Sequence, residues 1–406
     1  MSLTFQREIK ILIAEHLMGI DRIKKIDKAI SANGLWKQEA FQHVKKLLHH
    51  MAGRRASDMD MGGYRANQRI WYRVYGHKAP DLGMPSYTVD EINAMALCLL
   101  TEEQKSLLYD DRNLDFALSL RMNETESPYR FRGNVYFERG CLAVNFRLIN
   151  QELFTLNSLE IPKQIVKRLD LNFEKSGLVL ITGITGSGKS STLDTIIDMN
   201  NHNNHSHIVI IGNPIEFIHR SDKSIVCHRE LGEDCLSFAH GAIEALRQDP
   251  DIIVVGEMRD RKTIGTVLEV TDSGHKVFST LHTSSTIESI HRIIAEFPPD
   301  EQERVRFRLA DVLRVVISQK LVPNKQGNLS LAKEILSVDS SVQAAIRNNN
   351  IAEIFQMLTE GKTKGMFTMQ QDLYRLYKLG RITAETAMNY SNNTKVMANL
   401  IKYAHA

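Results

Sequence analysis

Hydrophobic residues recur with different spacings in the two halves of this chain. Between residues 5 and 30 they occur every three or four positions, which predicts one amphipathic helix. The residues of this stripe are Phe5, Ile9, Ile13, Leu17, Ile20, Ile23, Ile26 and Ile30. Such a stripe can dock a partner, but we expect it to pack on its own protein, because helices usually bury their apolar face against their own core.

Beyond residue 163 the apolar residues form short unbroken runs that are separated by helical stretches. Four of these runs cover residues 178–182, 208–211, 252–255 and 276–281. Unbroken runs are typical of parallel strands that are buried on both faces. This part of the chain is therefore predicted to be a doubly wound α/β domain, and the segments after Pro323 are predicted to be mainly helical.

The residues before this domain show shorter apolar runs between turn signals. Strands are predicted at 70–75 and within 129–148, and a helix at 89–108, which together indicate a mixed α+β domain. The chain is thus predicted to have four segments. They are a helical extension over 1–34, an α+β domain over 35–150, a linker over 151–162, and the α/β domain with its C-terminal helices over 163–406.

Composition contributes mainly exclusions. Lys plus Arg number 51 and Asp plus Glu 48 among 406 residues, a net charge of +3, so bulk charge gives no reason to expect nucleic-acid binding. The four cysteines form no CxxC pair, so neither a zinc site nor a disulfide framework is predicted. No run approaches the ~18 apolar residues of a membrane span. We expect any link to a membrane to go through a partner.

The strongest signal for chemistry is the sequence GITGSGKS at residues 183–190, which matches the phosphate-binding motif G-x-x-x-x-G-K-[ST]. A predicted strand precedes it and a predicted helix follows, as this motif requires. Lys189 is expected to reach the β- and γ-phosphates of ATP, and the Ser190 hydroxyl to ligate Mg²⁺. The predicted nucleotide contacts are Gly183, Thr185, Gly186, Ser187, Gly188, Lys189, Ser190 and Ser191.

Three further polar residues follow the other predicted strands of this domain. Glu216 comes after the run 208–211, Glu257 after 252–255 and His282 after 276–281. Ligands of open α/β sheets bind outside the carboxyl ends of the parallel strands, so these side chains should converge on the phosphate loop. Phosphoryl transfer needs a carboxylate near the metal and a group that orients or deprotonates water. Glu216 and Glu257 are the two candidates.

Four motifs in this order resemble the Walker A, Asp, Walker B and His boxes of the type II/type IV secretion ATPase superfamily. They are GITGSGKS at 183–190, NPIEF at 213–217, RQDPD and GEMRD within 247–260, and GH and TLHT within 274–283. The resemblance spans about residues 50–400. Its nearest branch is the PilT-like pilus retraction ATPases, since the segments 56–59, 127–132 and 365–386 are similar to theirs and no tetracysteine loop is present.

The resemblance implies a RecA-like P-loop ATPase domain, an N-terminal PAS-like α+β domain and a helical C-terminal region. It also implies a cytoplasmic homohexamer that uses ATP and Mg²⁺ and associates peripherally with the inner membrane through a platform protein of a pilus or secretion machine. Such a motor would power type IV pilus retraction. The alternative is an ATPase of a type IV secretion or conjugative transfer system.

The resemblance also implies roles for individual residues. Glu216 would act as general base, and Glu257 would act on Mg²⁺ or its bound water. His282 and His275 would form a pair that senses the γ-phosphate. Arg132 and Arg147, on predicted strands of the N-terminal domain, would reach the ATP of a neighbouring subunit.

Two other classes of function stay open at this point. A RecA-like nucleic-acid motor would need a basic groove with stacking aromatics, which +3 overall and 7% aromatic residues do not favour. A scaffold that binds ATP without hydrolysing it is conceivable, because Gly212-Asn213 stand where the family has Glu-Asp.

Overall fold

The computed structural model describes residues 4–62, 66–74, 77–121, 129–149 and 153–404. The chain divides into two compact units, Met1–Gln151 and Glu152–Ala406. Among the described helices, none is long and apolar enough to cross a membrane.

In the part that the structure describes, the first unit packs five helices against one antiparallel sheet. The helices are α1 (Thr4–Leu12), α2 (Gly19–Ala32), α3 (Gly34–Gly53), α4 (Val89–Leu97) and α5 (Glu102–Asp111). The strands are β1 (Ala56–Gly62), β2 (Trp71–Val74), β3 (His77–Pro80), β4 (Asn113–Leu120), β5 (Tyr129–Glu138) and β6 (Cys141–Ile149). Their order is β3-β2-β1-β6-β5-β4, so the strands predicted at 70–75 and within 129–148 are confirmed.

The prediction of a single helix over residues 5–30 is wrong, because the helix is interrupted between α1 and α2. Gly19 begins α2 with a φ of +56°, a left-handed conformation that favours glycine. The hydrophobic stripe nevertheless continues across the break, and Phe5, Ile9, Ile23 and Ile30 all lie in the core of the first unit. The extension therefore packs on its own protein.

The helix predicted over 89–108 is likewise two helices. α5 starts anew at the capping box of Thr101, whose side chain accepts a hydrogen bond from the backbone N–H of Gln104. A capping box satisfies the unpaired N–H groups of a helix start and marks a true N-terminus.

The second unit is built on a seven-stranded sheet in the order β13-β12-β7-β11-β10-β8-β9. Its strands are β7 (Gly177–Thr182), β8 (His207–Gly212), β9 (Ile225–Glu230), β10 (Ile252–Val255), β11 (Lys276–Leu281), β12 (Leu313–Pro323) and β13 (Leu329–Ser337). The first six run parallel to their neighbours, and β13 is antiparallel to β12. Every residue of β7, β10 and β11 is buried, as the unbroken apolar runs predicted.

Helices cover both faces of this sheet and form the C-terminal region. They are α6 (Lys163–Leu169), α7 (Lys189–Asn203), α8 (Phe238–Ala245), α9 (Arg261–Asp272), α10 (Thr286–Ala295), α11 (Pro299–Val312), α12 (Ser340–Arg347), α13 (Ile351–Glu360), α14 (Met369–Lys378), α15 (Ala384–Tyr390) and α16 (Thr394–Ala404). The region after Pro323 is helical only from α12 onward, because β13 comes first.

Candidate active site

The phosphate-binding motif forms the turn between β7 and α7. Gly183, Gly186 and Gly188 have φ values of +150°, +78° and +84°, which residues other than glycine rarely adopt. A Cβ on Gly183 would lie 2.3 Å from Ser187 Oγ and 2.5 Å from the backbone oxygen of Gln319. Glycine is therefore required here both by conformation and by space.

The amino end of α7 is open toward this loop. Gly188 is its N-cap, and no side chain of the described residues caps it. The first backbone N–H groups of a helix, with its positive dipole end, bind phosphate when no side chain occupies them. Ser190 and Ser191 follow in the first turn and are partly buried, and Thr185 is exposed in the loop. The arrangement suits a polyphosphate.

Lys189 is buried at the start of α7 and points back across the loop. Its Nζ donates hydrogen bonds to the backbone oxygens of Gly183 at 2.9 Å and Ile184 at 3.1 Å, and it lies 3.4 Å from His282 Nδ1. Burial lowers the pKa of Lys189, and the carboxylates of Glu257 and Glu216 oppose that shift. Both glutamates therefore lie within electrostatic reach of the lysine.

Glu257 and His282 meet between two strand ends. Glu257 Oε1 is 3.0 Å from His282 Nε2, and Glu257 Oε2 is 2.7 Å from Arg259 Nε. Burial and the ammonium of Lys189 lower the pKa of His282. A neutral imidazole that donates from Nε2 to Glu257 and accepts at Nδ1 from Lys189 satisfies both contacts. The three side chains thus form one chain of polar contacts.

Glu216 is exposed in the irregular segment after β8. The backbone N–H of the preceding residue, Ile215, donates a hydrogen bond to Glu230 Oε2 at 3.2 Å, which anchors the segment to β9. The sequence placed Glu216, Glu257 and His282 at three strand ends, and the structure puts them after β8, β10 and β11. Their chemical roles stay predictions.

His275 does not belong to this group. It precedes β11, whereas His282 follows it, and six strand residues separate the two by about 20 Å. Its Nδ1 lies 2.9 Å from Ser273 Oγ at the opposite edge of the sheet. The structure therefore does not bring His275 together with the phosphate loop, because a strand carries the two histidines to opposite edges, and a role for His275 in sensing phosphate stays a prediction.

Arg132 and Arg147 lie in the first unit, directly opposite each other on β5 and β6. Arg132 is 3.4 Å from Asp115, and Arg147 Nε donates to Asp58 Oδ1 at 2.9 Å. Both guanidinium groups are substantially exposed. Residues 127 and 128 of the motif that contains Arg132 lie outside the described residues. The role of the two arginines toward a nucleotide stays a prediction.

The residues present fit a magnesium ion held jointly with a nucleotide. The described residues contain no group of three or more His, Cys, Asp or Glu side chains that could hold a metal alone. Mg²⁺ prefers oxygen ligands and is commonly bound by one or two protein groups plus substrate phosphates. The Ser190 hydroxyl and the Glu257 carboxylate supply such oxygens.

Sequence reasoning missed Gln319, a buried residue of β12. Its Nε2 donates a hydrogen bond to the backbone oxygen of Ser187 at 2.9 Å and so supports the phosphate loop from the neighbouring strand. The signal is absent from the sequence, because β12 lies beside β7 only in the folded sheet.

A family model described as "Type II/IV secretion system protein" matches residues 38–403. The chain belongs to the type II/IV secretion system protein family. The predicted family and ATP hydrolysis are thereby confirmed.

Individual relatives show which members of the family this chain resembles. The "Twitching motility protein" of Neisseria gonorrhoeae is 38% identical over 328 residues, 80% of this chain and 85% of the relative. The "Type IV pilus retractation ATPase PilT" of Pseudomonas aeruginosa is 34% identical over 345 residues, 85% and 96% of the two chains. A crystal structure of the pilus retraction motor PilT with bound ADP matches with a TM-score of 0.77 and 36% identity, covering 87% of this chain and 98% of that one. The predicted RecA-like fold is confirmed.

Proposed function

We propose that this chain is the subunit of a Mg²⁺-dependent ATPase motor that powers type IV pilus retraction. The observation that carries the proposal is the contact between Lys189, His282 and Glu257 at the phosphate loop, in a chain of this family. Relatives named for twitching motility and pilus retraction match at least 80% of the chain, which favours retraction over secretion or conjugation.

The proposed chemistry assigns one task to each side chain. Lys189 and the N–H groups at the start of α7 bind and neutralise the phosphates. Glu216 accepts a proton from the attacking water, or orients it, since it is exposed on the segment after β8. Glu257 and Ser190 would hold Mg²⁺, which would neutralise charge on the phosphates. His282 contacts both Glu257 and Lys189 and so responds to a change in the charge around these two side chains.

Biochemistry and genetics together test this function. Purified protein is expected to release phosphate from ATP only with Mg²⁺, and Glu216→Gln to lose about 100-fold or more in turnover while still binding ATP. Deletion of the gene in its native host is expected to abolish twitching, restored by the wild-type gene and not by Glu257→Gln. Stimulation by DNA, or tight ATP binding without phosphate release, would contradict the proposal. Loss of secretion with normal twitching would favour the alternative system.

The motor is further proposed to be a homohexamer on an inner-membrane platform protein, with Arg132 and Arg147 acting across subunit boundaries. The support is that both arginines are exposed and lie in a different unit from the phosphate loop. A trans-acting group needs a closed ring with the nucleotide at each boundary.

Mixing two inactive variants tests the trans arrangement. Arg147→Ala and Lys189→Ala subunits are each expected to be inactive, and their mixture to regain some turnover, because some boundaries then combine an intact arginine with an intact phosphate loop. Turnover per subunit is also expected to rise with protein concentration. A mixture that assembles into mixed rings and stays inactive contradicts the role of Arg147.

A further inference from the structure

The segment that carries Glu216 has no regular secondary structure between β8 and β9, yet it includes a deeply buried imidazole. His219 lies three residues after Glu216, and its side chain is 0% exposed. Its neighbours Glu216, Ile218 and Arg220 are exposed. A buried imidazole among exposed neighbours indicates a specific attachment.

The attachment runs to α7, the helix that begins at the phosphate loop. His219 Nε2 donates to Asp194 Oδ1 at 3.3 Å, and His219 Nδ1 is 3.9 Å from Asp198 Oδ1. Asp194 and Asp198 are four residues apart and therefore lie on one face of α7. One ring thus faces two carboxylates of the helix whose first residues are Lys189 and Ser190.

The other side of His219 is fixed by β9. The His219 backbone N–H donates to His228 Nε2 at 3.1 Å, and the two rings stack with centroids 6.1 Å apart and planes 9° apart. The Phe217 ring meets His219 edge-on at 4.7 Å. Burial disfavours a charge on His219, but the two facing carboxylates outweigh it and raise its pKa. The ring is therefore held by both polar and apolar contacts.

We propose that His219 is a positioning residue that fixes Glu216 relative to the phosphate loop, by tying the segment after β8 to α7. The inference rests on the proposed role of Glu216 as the base. Because α7 also presents Lys189, the attachment makes the base and the phosphate-binding groups parts of one rigid element. A base must lie within hydrogen-bond reach of the water it activates, so a loosened segment lowers the rate of the chemical step more than the affinity for ATP.

Variants of His219 separate positioning from general stability. In His219→Ala we expect turnover to fall about tenfold to 100-fold, with the KM for ATP unchanged within about threefold. His219→Gln is expected to recover most of the turnover, because its side-chain amide can donate to Asp194 as Nε2 does. The matched control is His202→Gln, which removes an exposed imidazole that faces the same Asp198 from solvent and should leave turnover unchanged. Hexamer formation and thermal melting are measured for each variant.

The decisive measurement combines the substitution with Glu216→Gln. If His219 acts through Glu216, adding His219→Ala to Glu216→Gln costs less than about twofold further, because the positioned group is already gone. A full additional loss in the double variant, or wild-type turnover in His219→Ala, would overturn the proposal. Failure of the base role itself shows separately, as near-normal turnover in Glu216→Gln alone. Should His219→Ala not fold, Asp194→Ala in the same two backgrounds gives the same comparison, because it removes the acceptor of His219 Nε2.

Discussion

In the seven-stranded sheet the amino ends of the parallel strands form one edge, the amino edge, and their carboxyl ends form the other, the carboxyl edge. Each of these edges contains a buried lysine held by two backbone carbonyls. Lys189 donates to the carbonyls of Gly183 and Ile184, and Lys276 to those of Arg168 and Glu174, at 2.8 Å each for Lys276. Burial lowers the pKa of both, that of Lys276 to about 8. Burial and carbonyl contacts alone therefore do not distinguish the lysine of the phosphate loop from a lysine elsewhere in the sheet.

The two lysines differ in the groups that surround them. Lys189 sits at an open helix N-terminus, touches His282 and lies within reach of two glutamates that follow other strands. Lys276 is surrounded by groups that already pair with each other: Glu174 accepts from both Arg168 and Arg314. The exposed or half-exposed charged groups beside an open helix N-terminus mark the carboxyl edge as the place where a charged ligand can be bound.

The largest expected difference between the two edges is in turnover. Lys189→Ala is expected to lose about 1,000-fold or more in ATP turnover, because the variant lacks the ammonium group that would neutralise the negative charge of the phosphates. Lys276→Met is expected to stay within about twofold, because its ammonium group contacts backbone carbonyls at the opposite edge from the phosphate loop. Steady-state phosphate release at saturating Mg²⁺ and ATP measures both. Comparable losses in the two variants would remove the contrast between the edges.

The two histidines at the ends of β11 give a smaller contrast. His282→Ala leaves Lys189 and Glu257 without the imidazole that bridges them, and the loss of a charge-assisted contact should lower turnover about tenfold. His275→Ala removes contacts to Ser273 and to the backbone oxygen of Val270, both away from the phosphate loop, so turnover should change less than about twofold. The pair is compared by kcat at equal protein concentration. An equal or larger loss for His275→Ala would show that the amino edge takes part in the reaction.

The sequence predicts the carboxyl edge of this sheet well because its signals are local. The glycines and lysine of the phosphate loop are contiguous, and Glu216, Glu257 and His282 each follow an apolar run. Parallel strands carry such ends to one edge whatever their order, so the convergence needs no knowledge of the topology.

The features that sequence reasoning missed depend on long-range pairing. Gln319 supports the loop only because β12 pairs with β7. β13 was hidden by Lys333 and Glu334, which are buried in the strand because Lys333 faces Asp372 and Glu334 accepts from the backbone and hydroxyl of Thr286. Buried charges are paired by distant residues that no local pattern reveals.

The smallest effect concerns stability at the amino edge and follows from the pKa of Lys276. The folded pKa of about 8 lies below the ordinary value of 10.5, so between these two pH values the unfolded state binds more protons than the folded state. The free energy of unfolding should therefore gain a contribution as pH rises through this window, by at most about 3 kcal/mol. Lys276→Met lacks this contribution.

The informative quantity is the difference between wild type and Lys276→Met, because contributions that the two proteins share cancel in it. Urea unfolding at pH 7.5, 8.5 and 9.5 is expected to show wild type gaining on the variant as pH rises, while turnover of the two proteins stays within about twofold at pH 7.5. A constant difference across the three pH values would mean that Lys276 keeps an ordinary pKa when buried. Burial of the Lys276 ammonium group would then carry no electrostatic cost. A lowered pKa would no longer be a property that Lys276 shares with Lys189.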